Sequence, residues 1–256
     1  MSLLETLLEP TARNTAFATP KSSPTGSPVA SKLLGAPYFP AAAQLPRRAD
    51  GSYWAFMAQI NFADIPAGVD KDLPASGVLQ LYFASNSSMG IDWQSYGLNG
   101  SGFLTAFWPD ANADNHDASA ASRVSSDQGY DLDLFPLDQS HEMEFKMGRQ
   151  TVLPTDTATL DRMAGFQEQV EKIGPHAEED WYSAENGPFT QVGGYAYFTQ
   201  SDPRDSNEDW VILMQLDTDD RFGMMWGDCG VANLSIPRSA LRERDFSKSY
   251  FAWDCC

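Results

Sequence analysis

A mainly β fold of the β-rich α+β kind, with internally duplicated strand units forming a roll or two packed sheets and a few peripheral helices, is what this sequence predicts. Three observations predict it: short apolar runs bounded by Gly, Pro and Asp turn signals, an order of elements that occurs twice, and a single segment with sustained helical spacing. The chain has 256 residues, 42% hydrophobic and 12% aromatic, enough to bury a sizeable core as one large domain or two small ones.

In chain order, Leu3, Leu4, Leu7 and Leu8 alternate with Glu5 and Glu9 before Pro10, which predicts one or two turns of amphipathic helix. No basic segment or unbroken apolar segment makes it a secretory signal. Residues 11–31 are rich in Thr, Ser, Pro and Ala and read as a tail or an irregular lead-in strand. The expected organisation is a lead-in over residues 1–32 and one β-rich domain over 33–256. That domain comprises two related units, about 33–85 and 191–238, and a loop-strand-helix insertion at 86–190.

The duplication rests on order and spacing. The first unit runs Leu34-Gly-Ala-Pro-Tyr-Phe-Pro40, then Trp54-Ala-Phe-Met-Ala-Gln-Ile-Asn61, then Ser76-Gly-Val-Leu-Gln-Leu-Tyr-Phe83. The second runs Val192-Gly-Gly-Tyr-Ala-Tyr-Phe198, then Trp210-Val-Ile-Leu-Met-Gln-Leu-Asp217, then Cys229-Gly-Val-Ala-Asn-Leu-Ser-Ile236. Trp54 and Gln59 map onto Trp210 and Gln215 at one offset, and Gly77, Val78 and Leu81 onto Gly230, Val231 and Leu234 at an offset three residues shorter. Strand alternation places Trp54, Phe56, Ala58 and Ile60 on one face, and likewise Trp210, Ile212, Met214 and Leu216. In the third element, Val78, Gln80 and Tyr82 match Val231, Asn233 and Ser235, with an amide in the middle.

Between the units, residues 109–133 read as a solvated loop. Met143, Phe145 and Met147 alternate with charged neighbours as a half-buried strand. Leu160, Met163, Phe166, Val170 and Ile173 predict one helix, begun at Thr155 or Asp156 and stopped by Gly174-Pro175.

These runs, with the strand ending at Asn61, Met214-Gln-Leu-Asp217, Trp226-Gly-Asp228 and Asp245-Phe-Ser247, make the chain resemble the YwqG-like family, a family of unknown function. The resemblance implies a mainly β, roll-like fold with an internal duplication and peripheral helices. It supplies no catalytic residues. Ala36 stands where the family pattern has a second glycine, which puts a turn requiring glycine there in question.

Charge narrows the partners. Seventeen Lys and Arg against 35 Asp and Glu give a net charge of −18, which repels nucleic acid and suits a basic protein partner, a bound cation or solubility alone; a small-molecule ligand is the other partner expected. No run of about 18 apolar residues suits a membrane span. Cys229, Cys255 and Cys256 form no disulfide framework, so a reducing, cytoplasmic setting fits. Cys229 reads as a reactive thiol or, more simply, as a small buried hydrophobe.

The chemistry is sparse. Phosphate-binding, dinucleotide-binding and nucleophile-elbow motifs are missing, and His116, His141 and His176 read as solvated side chains. Asp217, Asp219, Asp220 and Asp228 form a candidate oxygen-ligand set for a divalent cation, since converging carboxylates need a counter-charge; otherwise they fix a turn. No cofactor beyond such a cation is predicted. Gln59 and Gln215 are candidates to line a binding groove, or else to satisfy buried backbone groups. Trp93 and Trp108 bound an aromatic stretch that suits a ligand or protein surface. The leading expectation is a non-enzymatic binding or interaction protein; the alternatives are a divalent-metal-dependent hydrolase using the four aspartates and a purely structural module.

Overall fold

A computed structural model describes residues 2–84, 87–92, 94, 96–126, 137, 139–183 and 189–256. Its strands are β1 (Arg13–Pro20), β2 (Lys32–Leu33), β3 (Ala55–Asn61), β4 (Val78–Phe83), β5 (Phe103–Trp108), β6 (His141–Gln150), β7 (Gln191–Gly193), β8 (Trp210–Asp217), β9 (Val231–Pro237) and β10 (Tyr250–Asp254). They form one antiparallel sheet in the order β10-β9-β8-β7-β1-β6-β2-β3-β4-β5. The fold is mainly β.

That order is symmetric about the central β1–β6 pair, and each half borrows the other's opening strand: β1 pairs with β7, and β6 with β2. Residues 13–20, expected within a lead-in, are therefore a central strand. Ala16 and Ala18 turn inward there, and small side chains let the two halves close on each other. The sheet curls until its ends meet: Leu98 bridges to Tyr250, and the Phe103 and Phe251 rings stand 5.5 Å apart.

One expectation about faces fails. The β3–β4 register shifts between Phe56 and Ala58, and the β8–β9 register between Ile212 and Met214. Such a bulge inserts one residue and turns the rest of the strand over. Trp54 and Phe56 therefore pack on the outside, while Ala58 and Ile60 join the interior; Ile212 is likewise parted from Met214 and Leu216. The bulges fall at Met57 and Leu213, positions related by the sequence offset. The interior draws on both halves, with Phe83 5.2 Å from Phe251 and 6.3 Å from Trp226.

Helices cover the outer faces. The helix α2 (Ala118–Ser126) lies in the stretch expected to be a solvated loop, and it buries Ala120, Ala121 and Val124 against Trp54, Phe56 and Tyr82. Residues 127–133 of that stretch lie outside the described residues. The second half is covered by α1 (Leu3–Leu8), α4 (Phe166–Ile173) and α5 (Ala177–Ser183), whose Leu4, Leu8, Phe166, Val170 and Trp181 share a cluster. Ser2 and Glu5 close a capping box on α1. The single helix expected over 156–173 is two, α3 (Thr157–Leu160) and α4, because Gly165 takes a left-handed conformation between them. The last helix, α6 (Arg238–Glu243), follows β9.

Candidate functional site: a basic cleft between the halves

Both halves stop their second strand in the same way. Leu34 and Gly35 have φ of 52° and 78°, and Gly193 and Gly194 have 74° and 72°, so each pair turns the chain out of the sheet. Ala36 is not left-handed, so no glycine is required there; the left-handed positions are Leu34 and Gly35 before it. At Gly194 glycine is also dictated by space, since a Cβ there would stand 2.4 Å from Gln150 Oε1.

Buried amides hold the chain beyond each turn. Gln59 Oε1 accepts from the Tyr38 N–H at 2.9 Å and from Gln80 Nε2 at 3.2 Å, and its Nε2 donates to Pro28 and Ala30 carbonyls at 2.8 Å. Gln80 also donates to the Tyr38 carbonyl at 2.7 Å. In the second half Gln215 Oε1 accepts from the Tyr197 N–H at 2.8 Å, its Nε2 donates to the Phe189 carbonyl at 2.8 Å, and Asn233 donates to the Tyr197 carbonyl at 2.7 Å. Gln59 and Gln215 are fully buried, so both amides of the expected groove bond inside the protein, where unpaired polar groups would be expensive.

The cleft opens where β7 leaves the sheet. β7 pairs with β1 only at Thr15–Phe17 and with β8 only at Gln215, so the starts of β1 and β8 diverge beyond Gly193. The resulting cavity of about 460 Å³ is lined by Arg13 and Asn14, by Gly68–Lys71 from the other half, by Gly193 and Gly194, by Asp209–Ile212, and by Arg238 and Arg242 of α6. Gln150 Oε1 accepts from the Tyr195 N–H at 2.8 Å and from Gln191 Nε2 at 3.0 Å, which fixes the wall at Gly193–Tyr195.

Four of the chain's 17 basic residues meet at this cleft. Arg238 bonds Asp209 at 2.7 Å, Asp72 at 2.8 Å and Asp70 at 2.9 Å; burial pulls its pKa down, but these bonds prevail and hold it well above the usual arginine value. Arg242 bonds Asp72 at 3.1 Å, and the bonds from Arg242 and Arg238 lower the Asp72 pKa. Arg13 lies 4.1 Å over the Tyr195 ring, an arrangement that positions a guanidinium without neutralising it. Lys71 is exposed. Among the described residues, Arg13 and Lys71 are thus the rim cations that make no ion pair with a carboxylate. Sequence reasoning missed this set, whose members sit on a central strand, a cross-over loop and a late helix.

The remaining candidates fall elsewhere. Asp217 ends β8 partly buried, and burial together with the Asp219 carboxylate lifts its pKa to about 7. Asp219 is clamped by Arg221 at 2.6 Å and accepts the Arg221 N–H at 2.9 Å, which fixes the turn. Asp220 and Asp228 are exposed. Among the described residues, no three His, Cys, Asp or Glu side chains stand together as a metal site. Trp108 is half-buried and donates to Gln80 Oε1 at 2.6 Å; Trp93 lies outside the described residues. Two histidines are less solvated than expected: His116 stacks on Tyr38 at 5.7 Å, with burial lowering its pKa, and His141 meets the edge of Phe222 at 5.8 Å. Among the described residues, no helix is long and apolar enough to cross a membrane.

The model of the family described as Domain of unknown function (DUF1963) matches residues 31–255, nearly the whole chain, and the chain belongs to that family. No curated protein matches it.

Proposed function

We propose that this DUF1963 protein is a non-enzymatic binding protein, of the YwqG-like branch and resident in a reducing, cytoplasmic compartment, that holds a small anionic molecule in the cleft beside β7. One observation carries the reading: in a chain of net charge −18, Arg13, Lys71, Arg238 and Arg242 converge on one cavity from distant segments. Against their four charges stand Asp70, Asp72 and Asp209, which orient Arg238 and leave a local positive excess. An isolated basic site within an acidic surface selects compact anions, because a polyanion would meet the surrounding carboxylates. Ligand pockets span about 300–1,000 Å³, and this cavity suits a ligand bearing one phosphate or two carboxylates. The position between the halves supports the reading, as walls from separate units can be varied without unfolding either.

Calorimetric titration with inorganic phosphate, pyrophosphate and citrate tests it. One of the three is expected to bind saturably, more weakly as salt rises, and to lose roughly a hundredfold in affinity in Arg13→Ala/Lys71→Ala, about tenfold for each charge-assisted contact. Absence of saturable binding, or equal binding by the folded double variant, would overturn the proposal. The reading as a divalent-metal hydrolase draws no comparable support from the placement of the four aspartates.

A further inference from the structure

A second site lies at the opposite end of β8, where the three cysteines gather. The turn Trp226–Gly230 leads into β9, and β10 runs back beside it, the last register pair being Asp254 with Val231. The strands stay together beyond that pair, because the Cys256 N–H donates to the Asp228 carbonyl at 3.3 Å. Standard bond lengths then hold the Cα atoms of Cys229 and Cys256 within about 7.5 Å of each other, against the roughly 4.4–6.8 Å that a disulfide spans. Both residues are exposed. Cys229, for which burial was the simpler expectation, stands on the surface with a left-handed φ of 56°.

Cys255 is different. A Cβ on Gly227 would stand 2.7 Å from its sulfur, and one on Gly230 2.7 Å from its own Cβ, so it packs into a slot that only glycines leave open. The slot that holds Cys255 therefore leaves Cys256 as the thiol free to meet Cys229.

From this geometry we infer that Cys229 and Cys256 form a reversible thiol–disulfide site whose co-reactant is a small-molecule disulfide. The Cys229 thiolate attacks one sulfur of that disulfide, forming a mixed disulfide and expelling one small thiolate. The Cys256 thiolate then attacks the Cys229 sulfur, closes the protein disulfide and expels the second thiolate. The two protons lost by the cysteines end on the two small thiols, and the protein is oxidised by two electrons as the small disulfide is reduced. The bridge fastens the turn to β10. The loop behind that turn buries Phe222, Met224 and Trp226 and reaches the other half where the Trp226 ring stands 6.3 Å from Phe83 of β4, so oxidation secures a contact between the halves.

The test equilibrates the whole protein in graded mixtures of reduced and oxidised glutathione, alkylates the remaining thiols and maps the peptides. The expected result is a monomer lighter by two hydrogens, with Cys229 linked to Cys256, Cys255 alkylated, and full reversal by dithiothreitol. Cys256→Ser is expected to arrest Cys229 as its glutathione adduct, and Cys255→Ser to leave the bridge intact. The folded protein should close the ring at least about tenfold more favourably than the same chain in urea, since the fold supplies the proximity. A bridge to Cys255, an intermolecular bridge, three alkylated thiols throughout, or equal closure in folded and unfolded chains would each overturn the inference.

Discussion

The two halves solve the same problem with different side chains. In the first, Gln80 reaches beyond the Tyr38 carbonyl, and its Oε1 accepts from Tyr82 at 2.8 Å and Trp108 at 2.6 Å, so the outer face closes under aromatic rings and α2. In the second, Asn233 is one methylene shorter; it reaches Tyr197, but its Oδ1 finds no partner among the described residues. The first turn is met by Ser140, whose Oγ would lie 2.7 Å from a Cβ on Gly35, whereas the second turn borders the basic cleft. The backbone scaffold is thus held in common, while the side chains at its turns differ, and the open turn is the one ringed by cations.

The largest effect that should separate the halves comes from an ion-pair cluster in the second. Arg204 bonds Asp156 at 2.6 Å and Asp202 at 2.7 Å with all three side chains almost fully buried, and Asp156 also accepts the N–H groups of Thr159 and Ala196. Arg204→Ala is expected to lower unfolding stability by about 3–5 kcal/mol in urea titration, because it leaves buried carboxylates without a counter-charge. A loss below about 1 kcal/mol would mean that water takes over that role.

Next in size is the contrast between the paired amides. Gln59→Ala removes four hydrogen bonds and should cost about 2–4 kcal/mol, while Gln215→Ala removes two and should cost about 1–3 kcal/mol. Equal losses, or a larger one at Gln215, would break the claim that the first half is the more tightly tied.

The third concerns pH. Because the folded pKa of Asp217 is raised to about 7, the folded state binds the extra proton. The associated stability is fully present below the ordinary carboxylate range and is lost as pH rises through about 7. Asp217→Asn should therefore flatten the pH dependence of unfolding in that window. Above it the variant should be the more stable by on the order of 1–2 kcal/mol, since solvent screens a partly exposed carboxylate. A variant equal to the parent at every pH would remove the effect. The smallest change is expected from Arg13→Ala/Lys71→Ala, within about 0.5 kcal/mol per site, as these rim cations serve the cleft more than the fold.

What the sequence made legible follows from how far each signal acts along the chain. Apolar runs and turn residues are local, so β3, β4, β8 and β9 and their shared order could be read directly. The amides Gln59 and Gln215 could be picked out because they recur at one offset; their partners Tyr38 and Tyr197 could not, because the turns that bring them back depend on φ at Leu34, Gly35, Gly193 and Gly194. The bulges at Met57 and Leu213 defeated the face assignment, since alternation assumes an unbroken register. β1 was obscured by its polar, Thr- and Pro-containing sequence; it is central because a partner strand lies on either side of it, and Ala16 and Ala18 suffice as its inward face. The basic cleft is assembled by topology from strand, loop and helix, and no spacing along the chain announces it.

The most direct test compares the two turns in one experiment: backbone amide resonances followed by NMR during titration with whichever of inorganic phosphate, pyrophosphate and citrate binds. Shifts are expected at Gly68, Lys71, Gly193, Gly194, Val211 and Ile212, with the matching turn at Leu34 and Gly35 unmoved. Shifts centred on the first turn, or scattered evenly over both halves, would contradict the account.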